Sequence, residues 1–259
     1  MYRYGPWAVV TGASDGIGRS FAIALARRGA DLILVARREW ELELLADNLR
    51  REYAVRCRVV AADLSTAGGI AAAVRGCAQE DVGLVVAAAG YGTSGPFLEG
   101  DIENELGMLR VNCGAVTSLS WHFGRRFAAR GRGGLILMSS IVAFQGVPGS
   151  AHYAASKSYV QTLAEGLGAE WGSRGIDVLA VAPGPVNTGF AKRARLNMSK
   201  AESPDVVAEQ SLNALGRAGT VRPGMLAKVL GYSLAMTPRW GRIRIMGAVM
   251  GSMTRHHGG

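Results

Sequence analysis

Residues 32–36 (LILVA) and 83–89 (GLVVAAA) are apolar at every position. A strand with one face in water alternates apolar and polar residues. Strands like these must instead be covered on both faces, which is the setting of a parallel sheet flanked by helices. Similar runs predict strands at 7–11, 31–36, 56–61, 83–88, 134–139 and 176–182, with a short one at 220–222. Helical patterns fall between them, over 17–28, 39–53, 66–79, 102–130, 153–173 and 204–217. This βαβ alternation implies an α/β fold with a doubly wound, mainly parallel seven-stranded sheet and right-handed crossovers. The 259 residues are 49% hydrophobic and show no repeat, linker or composition break, so one domain over 1–259 is expected.

The first predicted strand runs into Thr11-Gly12-Ala13-Ser14-Asp15-Gly16-Ile17-Gly18, and a helix starts at once. Gly12 permits a tight turn, Gly16 lets backbone amides approach a pyrophosphate, and Gly18 lets the helix pack close to the sheet. The helix N-terminus then faces the phosphates. A strand, glycine turn and helix at the head of a βαβ unit mark a Rossmann dinucleotide site. The second strand ends in Arg37-Arg38, where an acidic residue would grip the ribose 2′-hydroxyl of NAD. Two guanidinium groups suit a 2′-phosphate instead, which points to NADP(H). Asp15, in the first loop, is the one residue here that speaks against a phosphate.

Tyr153 and Lys157 are four residues apart in HYAASKSYVQTL, one turn apart on a single helix face. An ammonium beside a phenol favours the phenolate, and a tyrosine tuned that way can serve as acid or base. Ser140, thirteen residues upstream, offers a hydroxyl to the same substrate oxygen.

Taken together, TGASDGIG, Asp63 in AADLS, Asn112 in RVN, Ser140, Tyr153-x-x-x-Lys157 and Pro183-Gly184-Pro185-Val186-Asn187-Thr188 resemble the single-domain branch of the short-chain dehydrogenase/reductase family. The resemblance covers roughly residues 5–190. It implies that Tyr153 is the general acid for carbonyl reduction, that Ser140 polarises the carbonyl, and that Lys157 lowers the tyrosine pKa and binds the nicotinamide ribose. It implies that Asn112 holds a water linking Lys157 to solvent. The cofactor set it implies is Gly12, Ser14, Asp15, Gly16, Ile17, Gly18, Arg37, Arg38, Asp63, Leu64, Ala89, Gly90, Tyr153, Lys157, Pro183, Gly184, Val186 and Thr188, with Asp63 at the adenine. In one departure, Ala87-Ala88-Ala89-Gly90 stands where the family carries Asn-Asn-Ala-Gly, which removes two hydrogen-bonding side chains expected to tie strands beneath the cofactor.

By the same resemblance, residues 189–203 form the family's mobile substrate lid, which here mixes Phe190, Leu196 and Met198 with Lys192, Arg193, Arg195 and Lys200. Tyr91, Phe97, Val142, Phe144 and Val147 are expected at the pocket mouth, and their character favours an apolar carbonyl or alcohol over a sugar. Residues 223–259 form a C-terminal amphipathic extension. Within it, 238–255 is expected to be a helix burying Trp240, Ile243, Met246, Val249, Met250 and Met253 against protein, which is favoured over contact with a membrane surface. This region more loosely resembles reductases of long-chain keto-acyl groups.

The formal charge is +9, with 29 Lys and Arg against 20 Asp and Glu, but the basic residues are dispersed and no nucleic-acid motif accompanies them. Three widely spaced cysteines, Cys57, Cys77 and Cys113, suit reduced thiols in a cytoplasm, and no metal site is expected. No apolar run reaches the roughly 20 residues of a bilayer span, and the N-terminus lacks a signal-peptide pattern. The sequence therefore reads as a cytoplasmic NADPH-dependent carbonyl reductase of an apolar ketone or keto-acyl group, either free or carrier- or CoA-linked, and by resemblance a homodimer or homotetramer. The alternatives are an NADP-linked alcohol dehydrogenase working oxidatively and a non-catalytic dinucleotide-binding regulator.

Overall fold

The computed structural model describes residues 3–194 and 201–254, with the backbone alone for residues 191, 192 and 254. Seven strands form one sheet: β1 (Trp7–Thr11), β2 (Asp31–Ala36), β3 (Cys57–Ala61), β4 (Val82–Ala87), β5 (Gly133–Met138), β6 (Ile176–Val181) and β7 (Thr220–Val221). Their order is β3-β2-β1-β4-β5-β6-β7, and every pairing is parallel. The chain is thus a single-domain, doubly wound Rossmann fold.

Alternation along the strands explains why the apolar runs have no polar face. Ala8, Val10, Leu32, Leu34, Leu84 and Val86 point to one side. There they meet Phe21 and Leu25 of α1 (Gly16–Ala26), Leu42, Leu45 and Leu49 of α2 (Glu39–Tyr53) and, further along, Val207. Val9, Ile33, Val35, Val85, Leu135 and Leu137 point to the other side. They meet Ala73 of α3 (Ala67–Gly76), then Val116, Leu119, Phe123 and Phe127 of one long helix and Val160 and Ala164 of another. Each such side chain, once covered, contributes roughly 1.5–3 kcal/mol, and two covered faces therefore hold the sheet from both sides.

The predicted helix over 102–130 is interrupted. It consists of α4 (Ile102–Leu109), a π turn over Arg110–Ala115 and α5 (Val116–Arg130). A π turn adds one residue to the helical circuit and shifts the side chains after it, which a 3.6-residue pattern does not reveal. It carries Asn112, which is fully buried. The long α6 (Ala151–Trp171) follows β5, a short α7 (Gly189–Arg193) follows β6, and α8 (Pro204–Ala214) leads to β7. The last described residues form two helices, α9 (Met225–Ala235) and α10 (Arg239–Thr254). The first was not expected from the sequence, because its apolar residues lie all round the helix.

The expectation for the last helix holds only in part. Met246 and Met250 are buried in a small cluster with Ile141, Val142, Ala227 and Leu234. Ile243 is half-buried, whereas Trp240 and Val249 are exposed. With arginines or glycines at 239, 241, 242, 244, 247 and 251, the helix has no continuous apolar stripe to bury.

Candidate active site

The chain steps from β1 to β2 and β3 on one side, then returns to β4 on the other. The carboxyl ends of β1 and β4 therefore diverge into a crevice, the place where open α/β sheets bind ligands. A cavity of about 670 Å³ opens there. Every expected cofactor residue lines it, from Gly12 through Arg37, Arg38, Asp63, Leu64, Ala89 and Gly90 to Pro183, Gly184, Val186 and Thr188.

The glycine turn is as tight as its sequence demands. Gly12 has φ +67°, and a Cβ there would lie 2.9 Å from the backbone of Ala89. A Cβ on Gly18 would lie 2.3 Å from the Gly12 carbonyl oxygen, so α1 sits directly on the turn. Asp15 caps α1: its carboxylate accepts the Gly16 amide at 2.7 Å. These close approaches leave a cradle that fits a pyrophosphate at the helix N-terminus. At the rim, Arg38 is held by Glu41 at 2.6 Å and donates to the Ser14 hydroxyl at 3.2 Å. Arg37 is exposed and has no ion pair among the described residues. On the next strand end, Asp63 accepts the Ser65 amide at 2.9 Å, and this bond, outweighing a smaller effect of burial, lowers its pKa.

The strand ties absent from Ala87-Ala88-Ala89-Gly90 are made by other residues. The Thr11 hydroxyl accepts the Ala89 amide at 3.0 Å and faces the Val86 carbonyl. From the π turn, Asn112 Oδ1 accepts the Tyr91 amide at 3.1 Å, and its Nδ2 donates to the Tyr91 carbonyl at 2.9 Å and to Ser156 Oγ at 3.1 Å. The Asn112 side chain is thus used up in holding the loop after β4. It is the one expected catalytic residue that does not line the cavity.

Ser140, Tyr153 and Lys157 do converge in it. Ser140 stands in extended backbone at the end of β5, where its hydroxyl also accepts the Val142 amide. Tyr153 and Lys157 share one face of α6. Lys157 is buried, with Nζ 5.7 Å from the centre of the Tyr153 ring and donating to the Met138 carbonyl at 2.8 Å. Burial pushes its pKa down to about 8. Burial also pushes the Tyr153 phenol up, while its hydrogen bond with Ser140 pulls it down. Burial is the larger effect, so the phenol sits above its usual range, with the hydrogen bond to Ser140 opposing it and Lys157 tied to Met138 at 2.8 Å.

The rest of the cavity is apolar. Phe190 packs on Tyr153 with ring centres 5.5 Å apart, an approach possible because Gly92 has no side chain between them. Tyr91, Val142, Leu230, Ile245, Met246, Val249, Met250 and Met253 complete the wall. Arg193 stands at its rim, stacked 4.5 Å from the centre of the Tyr91 ring. Three residues expected at the mouth lie elsewhere: Val147 is buried in the small cluster, Phe144 packs under Arg222, and Phe97 packs on His152. Sequence periodicity does not reveal the contribution of α9 and α10, because it does not tell which wall a terminal helix joins. Leu196, Met198, Arg195 and Lys200 of the expected lid lie outside the described residues.

A family model for the short-chain dehydrogenases matches residues 6–199. The chain belongs to that family. It is accordingly an oxidoreductase working on the CH–OH/C=O pair with a nicotinamide dinucleotide. A 7β-hydroxysteroid dehydrogenase of Clostridium sardiniense is 31% identical over 86% of this chain and 87% of its own length. A very-long-chain 3-oxoacyl-CoA reductase-like protein of Arabidopsis thaliana is 32% identical over 92% and 79%. Among solved structures, a 7β-hydroxysteroid dehydrogenase superposes with a TM-score of 0.87 at 26% identity, covering 95% of this chain and 98% of that one. A short-chain dehydrogenase from Sphingobium yanoikuyae in complex with NADPH does so with 0.80 at 30% identity, covering 89% and 93%.

Proposed function

We propose that this short-chain dehydrogenase is an NADPH-dependent reductase of a bulky apolar ketone or keto-acyl group. The observation that carries this reading is the meeting of Ser140, Tyr153 and Lys157 in a cavity polar at its glycine-turn end and walled by apolar side chains beyond Tyr153. NADPH held along the turn would supply the hydride. Arg37 with Arg38 would hold the 2′-phosphate, and Asp63 and Leu64 would flank the adenine. Ser140 donates to the carbonyl oxygen, where negative charge develops. Tyr153 gives that oxygen its proton. A phenol kept protonated by burial suits this task, because it arrives at the reaction carrying the proton to be given. Lys157 would hold the nicotinamide ribose and, with its pKa pushed down to about 8 by burial, restore the proton. Asn112 positions the loop after β4 and Ser156 behind Lys157 rather than touching the reacting atoms.

The apolar wall from α9 and α10, with Phe190 over Tyr153, supports a hydrophobic substrate. It agrees with relatives named for hydroxysteroids and very-long-chain 3-oxoacyl-CoA. Arg193 at the rim suits a carrier or CoA phosphate or another anionic tail. α7, at the head of the lid expected over residues 189–203, lines the cavity through Gly189, Phe190 and Arg193. Exposed Ile102, Leu106, Trp121 and Tyr159 on α4, α5 and α6 offer a surface for a homodimer or homotetramer. No helix among the described residues is long and apolar enough to cross a membrane, and a cytoplasmic location suits the free thiols. NADPH consumption with a steroid ketone, a long-chain 3-oxoacyl thioester and a polar sugar-acid ketone tests the proposal. Turnover of either apolar substrate is expected, and a preference for the sugar acid would refute it. The same residues run the alcohol oxidation in reverse when product and NADP are in excess.

A further inference from the structure

α9 turns Ala227, Leu230 and Leu234 toward the small cluster beside the cavity. Its opposite face carries Met225, Val229, Tyr232 and Met236, at spacings of four, three and four, which is one stripe of a helix. These side chains are 74%, 57%, 68% and 90% exposed, and Trp240 at the start of α10 is 66% exposed. Buried elsewhere in the fold, such residues would be core; here they stand in water. A run of large apolar side chains exposed on one face marks a binding surface.

The charge around the stripe identifies the partner. Residues 225–254, which span α9 and α10, hold Lys228, Arg239, Arg242 and Arg244 and no Asp or Glu. Lys228, Arg239 and Arg244 are exposed on the two helices, without ion pairs among the described residues, and Arg244 stacks 5.5 Å from the centre of the Trp240 ring. A second copy meeting this face about a two-fold axis would set like charges against each other. An acidic protein would answer the cations but leave Met236 and Trp240 without apolar cover. An anionic bilayer answers both, with headgroups for the cations and acyl chains for the stripe. We infer that the α9–α10 face docks on the surface of an anionic lipid membrane. Ile245 and Val249 are at once exposed and part of the cavity wall, so the mouth of the cavity opens beside this face.

The inference does not depend on the substrate proposed above and is tested without turnover. The full chain is floated with vesicles of phosphatidylcholine, with and without phosphatidylglycerol. Wild type is expected to float with the anionic vesicles only and to be released by salt. Changing Arg239→Gln and Arg244→Gln together should weaken partitioning by about fivefold per charge removed. The combined Met225→Ser, Met236→Ser and Trp240→Ser variant should weaken it at least about tenfold. Leu98→Ser, which removes an equally exposed leucine far from this face in the sequence, should float as wild type. Circular dichroism and melting temperature confirm folding, and the arginine pair carries the test if the triple variant is unfolded. Absence of flotation, equal flotation with neutral vesicles, or flotation that ignores both sets of changes would overturn the inference. So would dissociation of an oligomer by the triple variant without any binding to vesicles, which would assign the face to a second copy.

Discussion

Arg37 is expected to set the cofactor preference more than Arg38. The two stand side by side at the end of β2, but their surroundings differ. Arg38 is already bound to Glu41 at 2.6 Å and to Ser14, so part of its charge is answered before any ligand arrives. Arg37 is exposed, lines the cavity and has no such partner among the described residues. A hydrogen bond to a charged group contributes about 1.5–3 kcal/mol. Arg37→Ala should therefore weaken NADPH binding by about 10- to 150-fold. Arg38→Ala should cost less, because part of the Arg38 charge is already neutralised by Glu41 and is not free to answer a phosphate. NADH, which has no 2′-phosphate, should bind the wild type and Arg37→Ala alike. Fluorescence titration of both cofactors against the three proteins measures this directly. Equal losses for NADPH and NADH in Arg37→Ala would show that the arginine is merely structural. A wild-type preference for NADH would refute the assignment of this pair to a phosphate.

Three further outcomes follow from the geometry. Gly18→Ala forces a Cβ to within 2.3 Å of the Gly12 carbonyl, so α1 must lift off the turn; a stability loss of about 1–3 kcal/mol in urea unfolding is expected, with weaker binding of either cofactor. Asn112→Ala leaves both polar groups of Tyr91 unanswered and should cost about 1–3 kcal/mol, read in the same way. Lys157 has a folded pKa near 8 against an unfolded value near 10.5, so between these values the unfolded chain holds the extra proton and stability rises with pH. Urea midpoints from pH 8 to 10 should therefore rise more steeply in the wild type than in Lys157→Met, and parallel slopes would place the lysine in a solvated site.

The parts of this site legible in sequence are those where chemistry demands fixed spacing. The glycine turn must have its glycines where backbone meets backbone, and Tyr153 and Lys157 must be one turn apart, so spacing read together with the surrounding motifs locates both. The sheet is legible because strands covered on two faces are apolar throughout. What sequence conceals depends on tertiary context. The π turn at Arg110–Ala115 leaves no periodic trace, yet it delivers Asn112 to the loop after β4. The replacement of the missing asparagines by Thr11 and Asn112 emerges only from distances. The upward push that burial gives the Tyr153 phenol, opposed by its bond with Ser140, is not reported by a four-residue spacing. At the C-terminus, Met246 and Met250 pack inward while Trp240 points to solvent, because the neighbours of a terminal helix are set by the rest of the fold.

Replacing Tyr153 by Phe tests the central claim most directly. The ring and its packing against Phe190 remain, and only the hydroxyl that bonds Ser140 is lost. General acid catalysis contributes roughly 10²–10⁴-fold. Turnover of an apolar ketone with NADPH should fall by at least about 100-fold, with NADPH affinity nearly unchanged. Retention of more than about a tenth of wild-type turnover would limit the lost stabilisation to about 1.4 kcal/mol and would contradict the role of Tyr153 as the proton donor.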